Sequence, residues 1–151
     1  MTDLKAQLHT LCLNYVQLKI AEAGHAIAEA QQSANNETKS SAGDKYETGR
    51  AMMQQETDRN MSQLNEANKL KVVLNHLSTA PNTTGFADPG SVVITNNGIF
   101  YISISAGMLN ADGVQYIAVS IASPIGAMLK GKKAGDSFAL NGKQYQIEKI
   151  Y

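Results

Sequence analysis

The segment S78-T-A-P-N-T-T-G-F-A-D-P-G90 divides the chain. It concentrates Pro, Gly, Asn and Thr, residues that interrupt helices and strands, and the hydrophobic period changes across it. On its amino-terminal side apolar residues recur at intervals of three and four. On its carboxy-terminal side, stretches rich in Val, Ile and Tyr show partial alternation. A change from a helical period to a strand period at one turn-rich break predicts an α+β chain, helical first and sheet-forming second.

Working back from the break, Lys45 to Leu77 is free of proline and carries Met53, Asn60, Leu64, Ala67 and Leu74 on one seam, joined near its end by Leu70, Val73 and Leu77. Thr2 to about Lys39 is also free of proline and has one glycine, Gly24. Its seam runs through Leu13, Val16, Ile20, Ala23, Ile27, Ala30 and Ala34, the spacing of a supercoiled helix. Leu4, Leu8, Leu11, Tyr15 and Leu18 add a second stripe, so the amino-terminal end of this helix is where other parts of the protein should pack. Two helices joined by a short break form an antiparallel coiled-coil hairpin with arms of roughly 50 Å at 1.5 Å per residue. The break S40-S-A-G-D-K-Y-E-T-G49 is then the far tip of the hairpin.

Working forward, strands are expected at Ser91 to Ile94, Ile99 to Ile104, Val114 to Ile121, Ser137 to Leu140 and Lys143 to Ile150. N96-N-G98 and N141-G142 supply hairpin turns. One short helix, P124-I-G-A-M-L129, has Ser123 placed as its N-cap and Pro124 at its first position. The second half reads as a small, mostly antiparallel sheet with that single helix.

Composition excludes several function classes. Lys plus Arg equals Asp plus Glu at 13 each, so the chain lacks the charge expected of a reader of bare nucleic acid, and no independent DNA binding is expected. The single cysteine, Cys12, rules out an internal disulfide framework and fits a reducing compartment. M1-T-D-L-K-A-Q-L lacks a charged start followed by an apolar run, and no stretch approaches the ~20 apolar residues of a membrane span. A cytoplasmic chain with no membrane partner is the expectation. His9, His25 and His76 share no metal-ligand spacing, and no nucleophile-elbow, P-loop or dinucleotide fingerprint occurs.

Asp44 and Glu47 stand three residues apart at the tip. One reading is a capping box, with Asp44 accepting from a first-turn N–H and Glu47 reaching back. Both acids also suit the positive end of a helix dipole, worth ~0.3 to 1 kcal/mol each. The other reading is a carboxylate pair free to hold a hydrated divalent cation. Spacing alone favours the capping box, and the two are compatible because a cap still leaves carboxylate oxygens free. Lys130, Lys132 and Lys133 form the densest basic group, while Lys39, Lys45 and Arg50 surround the tip.

S123-P-I-G-A-M-L-K-G-K-K-A-G-D136, followed by a strand, a turn and K143-Q-Y-Q-I-E-K-I-Y151, resembles the carboxy-terminal domain of the Gre transcript-cleavage factors (GreA and GreB). The family joins an antiparallel coiled coil, whose tip bears Gly-Asp-x-x-Glu, to a small FKBP-like sheet domain. Gly43, Asp44 and Glu47 fall on the tip motif. The resemblance thus covers nearly the whole chain: a coiled-coil hairpin over 1–78 with its acidic tip at 43–47, a linker over 79–90, and an FKBP-like antiparallel sheet domain over 86–151. With three Phe and no Trp, the sheet domain shows no prolyl-isomerase pocket.

The resemblance implies a bacterial transcription elongation factor. It would enter the secondary channel of RNA polymerase and stimulate cleavage of backtracked RNA, meeting the nascent RNA 3′ end inside the polymerase. The polymerase would remain the enzyme. Asp44 and Glu47 would complete its site as catalytic residues by holding a shared Mg²⁺, bound weakly or not at all by the isolated protein. Ser123 and Pro124 match the segment that docks on the polymerase. A rival of the same architecture is a regulator that enters the channel without cleaving. It is favoured by T48-G-R-A51, which stands where the family has Asn-x-Glu-Tyr.

Overall fold

The computed structural model describes the backbone of residues 2–37 and 43–151, and the side chains of 3–32, 49 and 51–151. The chain is α+β. Helix α1 (Thr2–Glu37) and helix α2 (Gly43–Asn75) precede strands β1 (Val92–Thr95), β2 (Gly98–Ile102), β3 (Gly107–Ala111) and β4 (Val114–Val119). Helix α3 (Pro124–Leu129) and strands β5 (Ser137–Leu140) and β6 (Lys143–Ile150) complete it. Two compact units result: Met1–Tyr15 with Val72–Tyr151, and Val16–Lys71. Among the described residues no helix is long and apolar enough to cross a membrane.

In the helical unit the expected seam is realised. Val16, Ala23 and Ala30 of α1 are buried seven residues apart, as are Asn60 and Ala67 of α2, with Ile20, Ile27, Met53 and Leu64 half-buried between them; Ala34 lies outside the described side chains. Thr57, which the apolar pattern passes over, is also buried and returns its hydroxyl to the Met53 carbonyl at 2.9 Å. The second stripe is shorter than expected: Leu8 is fully buried and Leu4, Leu11 and Tyr15 are half-buried, but Leu18 is 60% exposed. Leu18 belongs to the helical unit, and only the first turns of α1 lie in the unit that holds the sheet.

The sheet unit contains six strands in the order β3-β4-β2-β1-β6-β5. Three hairpins build it. Thr95 pairs with Gly98 across Asn96-Asn97, and Leu140 pairs with Lys143 across Asn141-Gly142. Ala111 pairs with Val114 across Asp112-Gly113. Asp112 and Asn141 both take φ of 52°, each followed by a glycine at positive φ, as a tight turn matching strand twist requires. Two features depart from the expected antiparallel sheet. Strand β3 was not expected, because G107-M-L-N-A111 is poor in β-branched residues. Strand β4 then runs parallel to β2, since the chain leaves β2, forms β3 at the edge and turns back into the gap between them.

Alternation along β1 and β2 serves both faces. Val93, Phe100 and Ile102 point to a core shared with Ala87, Val119, Leu129, Phe138 and Ile147. Tyr145 stacks on Phe138 with ring centroids 5.0 Å apart and meets Phe100 edge-on at 6.1 Å. Val92 and Tyr101, paired in register and fully buried, lie on the opposite face. The start of α1 reaches that side, where Cys12 meets Ser103. His9 Nε2 lies 2.7 Å from the Leu74 carbonyl oxygen, which ties the first turns of α1 to the end of α2.

The Pro- and Gly-rich segment is ordered. Asn82 donates to the Phe86 carbonyl and the Ser91 hydroxyl, and Gly90 N–H reaches the Ile102 carbonyl at 2.6 Å. Gly90 has φ of +94°, and a Cβ there would lie 2.9 Å from the Ser78 carbonyl oxygen, so glycine is required on both counts.

Candidate functional site

Two sequence-derived sites stand in different units. Asp44 and Glu47 lie in the opening turns of α2, which starts at Gly43. Their side chains fall outside the described residues, and so do those of Lys45 and the neighbouring Thr48; Arg50's does as well, and Lys39 is wholly outside. Among the described residues no group of three or more His, Cys, Asp or Glu side chains could hold a metal ion.

The segment around Ser123 is built in detail. Ser123 has extended backbone, φ −74° and ψ 156°, and its Oγ accepts the Gly126 N–H at 3.1 Å. The same hydroxyl donates to the Ser120 carbonyl at 2.6 Å, so one side chain both caps α3 and closes the turn that leads into it. Pro124 sits in the first turn, where a missing N–H costs nothing. Gly126 is dictated by packing, because a Cβ there would run into the Ser120 carbonyl. These contacts hold Ile121, Ala122 and Pro124 as an exposed apolar ridge, with Ile121 39% exposed.

The loop after α3 is equally determined. Lys130 N–H closes the helix on Gly126, and Gly131 N–H bonds to the Ala87 carbonyl at 2.8 Å. Ala87 N–H returns to the Lys132 carbonyl at 2.7 Å. Asp136 Oδ2 accepts the Lys133 N–H at 3.0 Å while its backbone pairs with Lys133 and Ile147. The Gly-Asp of this motif is therefore a turn-closing pair. Lys130 and Lys133 stay exposed, Lys132 is half-buried, and none of the three makes an ion pair among the described residues. Apolar ridge and free ammonium groups belong to one loop-helix-loop segment, an arrangement suited to a protein partner with acidic and apolar surface.

Neither a family model nor a curated protein matches the chain.

Three polar features escaped sequence reasoning, although Cys12 itself, set between Leu11 and Leu13, was expected to be a packed or half-exposed small hydrophobe. Cys12 Sγ lies 3.6 Å from Ser103 Oγ, and burial pushes its thiol pKa up despite that bond. The Tyr101 hydroxyl is buried with no hydrogen-bond partner, and burial followed by the nearby Cys12 raises its pKa. Lys5, only 3% exposed, donates to the Ala80 carbonyl at 3.0 Å, and burial lowers its pKa. Lys5 lies between Leu4 and Leu8 on the stripe expected to pack, which was the available signal. The histidines have local roles: His9 on the Leu74 carbonyl, His25 3.1 Å from Glu29, and His76 2.8 Å from the Val72 carbonyl.

Proposed function

We propose that this protein is a Gre-like transcription elongation factor. It binds bacterial RNA polymerase, enters the secondary channel with its helical hairpin, and stimulates the polymerase to cleave backtracked RNA. The observation that carries this reading is one co-occurrence. Two long proline-free helices precede a sheet domain whose S123-P-I-G segment is capped by Ser123, with an exposed apolar and basic surface beside it. The FKBP-like description of the sheet domain rests on the same resemblance.

In this reading Ser123 and Pro124 shape the docking ridge, and the polymerase supplies the active site. Asp44 and Glu47 would bring carboxylate charge to the RNA 3′ end and would hold Mg²⁺ together with the polymerase's own ligands. When bound there, the ion would supply charge stabilisation for hydrolysis of the RNA phosphodiester. Because the two carboxylates are only part of the ligand set, free protein binds the ion weakly. The reading is tested by adding the purified chain and Mg²⁺ to backtracked complexes with 3′-labelled RNA and measuring release of short labelled fragments.

A second reading, a channel-binding regulator that does not cleave, is favoured by T48-G-R-A51 following the acids. It shares the docking surface and differs only in the outcome of that assay.

A further inference from the structure

Lys5 is 3% exposed and has no carboxylate partner among the described residues. It donates one hydrogen bond, to the Ala80 carbonyl at 3.0 Å, and takes part in no ion pair among the described residues. Only burial perturbs it. An ammonium has three donors and no acceptor, so two N–H groups are left. A buried charge is ordinarily paired, because desolvation is otherwise uncompensated.

Lys5 lines an open groove of about 160 Å³ formed with the turn-rich segment, including Ser78, Asn82, Asp88 and Ser91. Ser91 is 2% exposed, and its Oγ accepts from Asn82 Nδ2 at 3.0 Å and from the Asp88 N–H at 3.1 Å. Both lone pairs are engaged, and its hydroxyl proton has no acceptor among these contacts. Ser78 Oγ likewise accepts, from the Ala80 N–H at 3.1 Å. The lining is therefore rich in unused donors. Asp88 supplies the one carboxylate of the lining, and its Oδ2 accepts from the Thr84 hydroxyl at 3.3 Å. The volume exceeds that of several waters at about 30 Å³ each, enough for a tetrahedral or planar oxyanion.

We propose that this groove binds a small oxyanion, a phosphoryl or carboxylate group, through the Lys5 ammonium and the Ser91 hydroxyl. The anion supplies the charge that burial denies Lys5 and the acceptor that Ser91 lacks. Because Lys5 is in α1 and Ser91 immediately precedes β1, the ligand clasps the first turns of α1 to the start of the sheet. The site is independent of any role in transcription.

The test is a titration of the ¹⁵N-labelled full chain with sodium phosphate and, separately, sodium acetate, each against sodium chloride at matched ionic strength. Saturable shifts at the Gly90 and Ser91 amides at millimolar anion are expected. Saturation by phosphate alone identifies a phosphoryl site, and saturation by acetate a carboxylate site. Lys5→Met and, separately, Ser91→Ala should weaken binding about tenfold or more, the worth of one charge-assisted hydrogen bond, while Phe100 and Ile147 amides report that the sheet is intact. If one variant fails to fold, the other carries the comparison. No saturable shift in the wild-type chain with either anion, or equal affinity in a folded variant, overturns the proposal.

Discussion

Cys12 Sγ and Ser103 Oγ lie 3.6 Å apart across 91 residues of sequence, both buried. The contact anchors the first turns of α1 against the sheet face that carries Val92 and Tyr101. A burial-raised pKa leaves Cys12 with less thiolate at any given pH, and the thiolate is the reactive form. The native protein should therefore react slowly with an aromatic disulfide reagent at pH 8, and fast once unfolded in denaturant. Rapid stoichiometric labelling of the native chain would contradict this packing.

Leu8 and Leu18 lie on the same sequence stripe but differ in environment, one fully buried and the other 60% exposed. Leu8→Ala should cost ~2 to 5 kcal/mol in urea unfolding, and Leu18→Ala no more than ~0.5 kcal/mol. Similar losses for the two would mean that the apolar contact continues along α1 beyond its first turns.

The expectation that the amino-terminal end of α1 packs against the rest came from its wider apolar face, and Leu8 and Cys12 bear it out. The seam of α2 was readable because Met53, Asn60, Leu64, Ala67 and Leu74 keep a strict spacing, and α3 because Ser123 and Pro124 mark its start. Strand β3 was not readable from side chains, since its stability comes from pairing with β4. The Asp112-Gly113 turn was the signal that could have revealed it. The Lys5 groove was illegible for a different reason: it needs the junction loop folded back on α1, which no local pattern encodes.

Ser123 closes two bonds at the start of α3. Ser123→Ala should cost ~1 kcal/mol or somewhat more through loss of the cap. Gly126→Ala should cost ~1 to 3 kcal/mol, because the turn must move to relieve contact with Ser120. Chemical denaturation measures both, and a neutral Gly126→Ala would refute the close approach.

Tyr101 buries a hydroxyl without a partner, and its pKa is raised above the ordinary 10.0. A raised acid stays protonated in the fold while the unfolded chain ionises, so its stabilising contribution is present below pH 10 and is lost as pH rises above it. Tyr101→Phe should be neutral or slightly stabilising at pH 7 and should reduce the fall in stability above about pH 10. Parallel alkaline profiles for the two proteins would show that Tyr101 ionises freely when folded.

Asn60 places an amide nitrogen in the helix seam with no partner. Asn60→Leu should raise the melting temperature through a gain of ~1 to 3 kcal/mol from removing the unpaired donor, with loosened control of register and association state. Calorimetry and sedimentation on the same variant check both parts.

In the proposed reading Asp44 and Glu47 hold a shared Mg²⁺, and Asp44→Asn separates that role from helix capping. Asparagine is tolerated at a helix start but lacks the charge that a cation needs. Wild-type and Asp44→Asn proteins would be compared on backtracked complexes of their own RNA polymerase with 3′-labelled RNA and Mg²⁺, with melting temperature measured in parallel. The expected result is unchanged melting and loss of fragment release in the variant. Equal cleavage by the two proteins, or no cleavage by wild type despite demonstrated binding to polymerase, would contradict the metal-holding role.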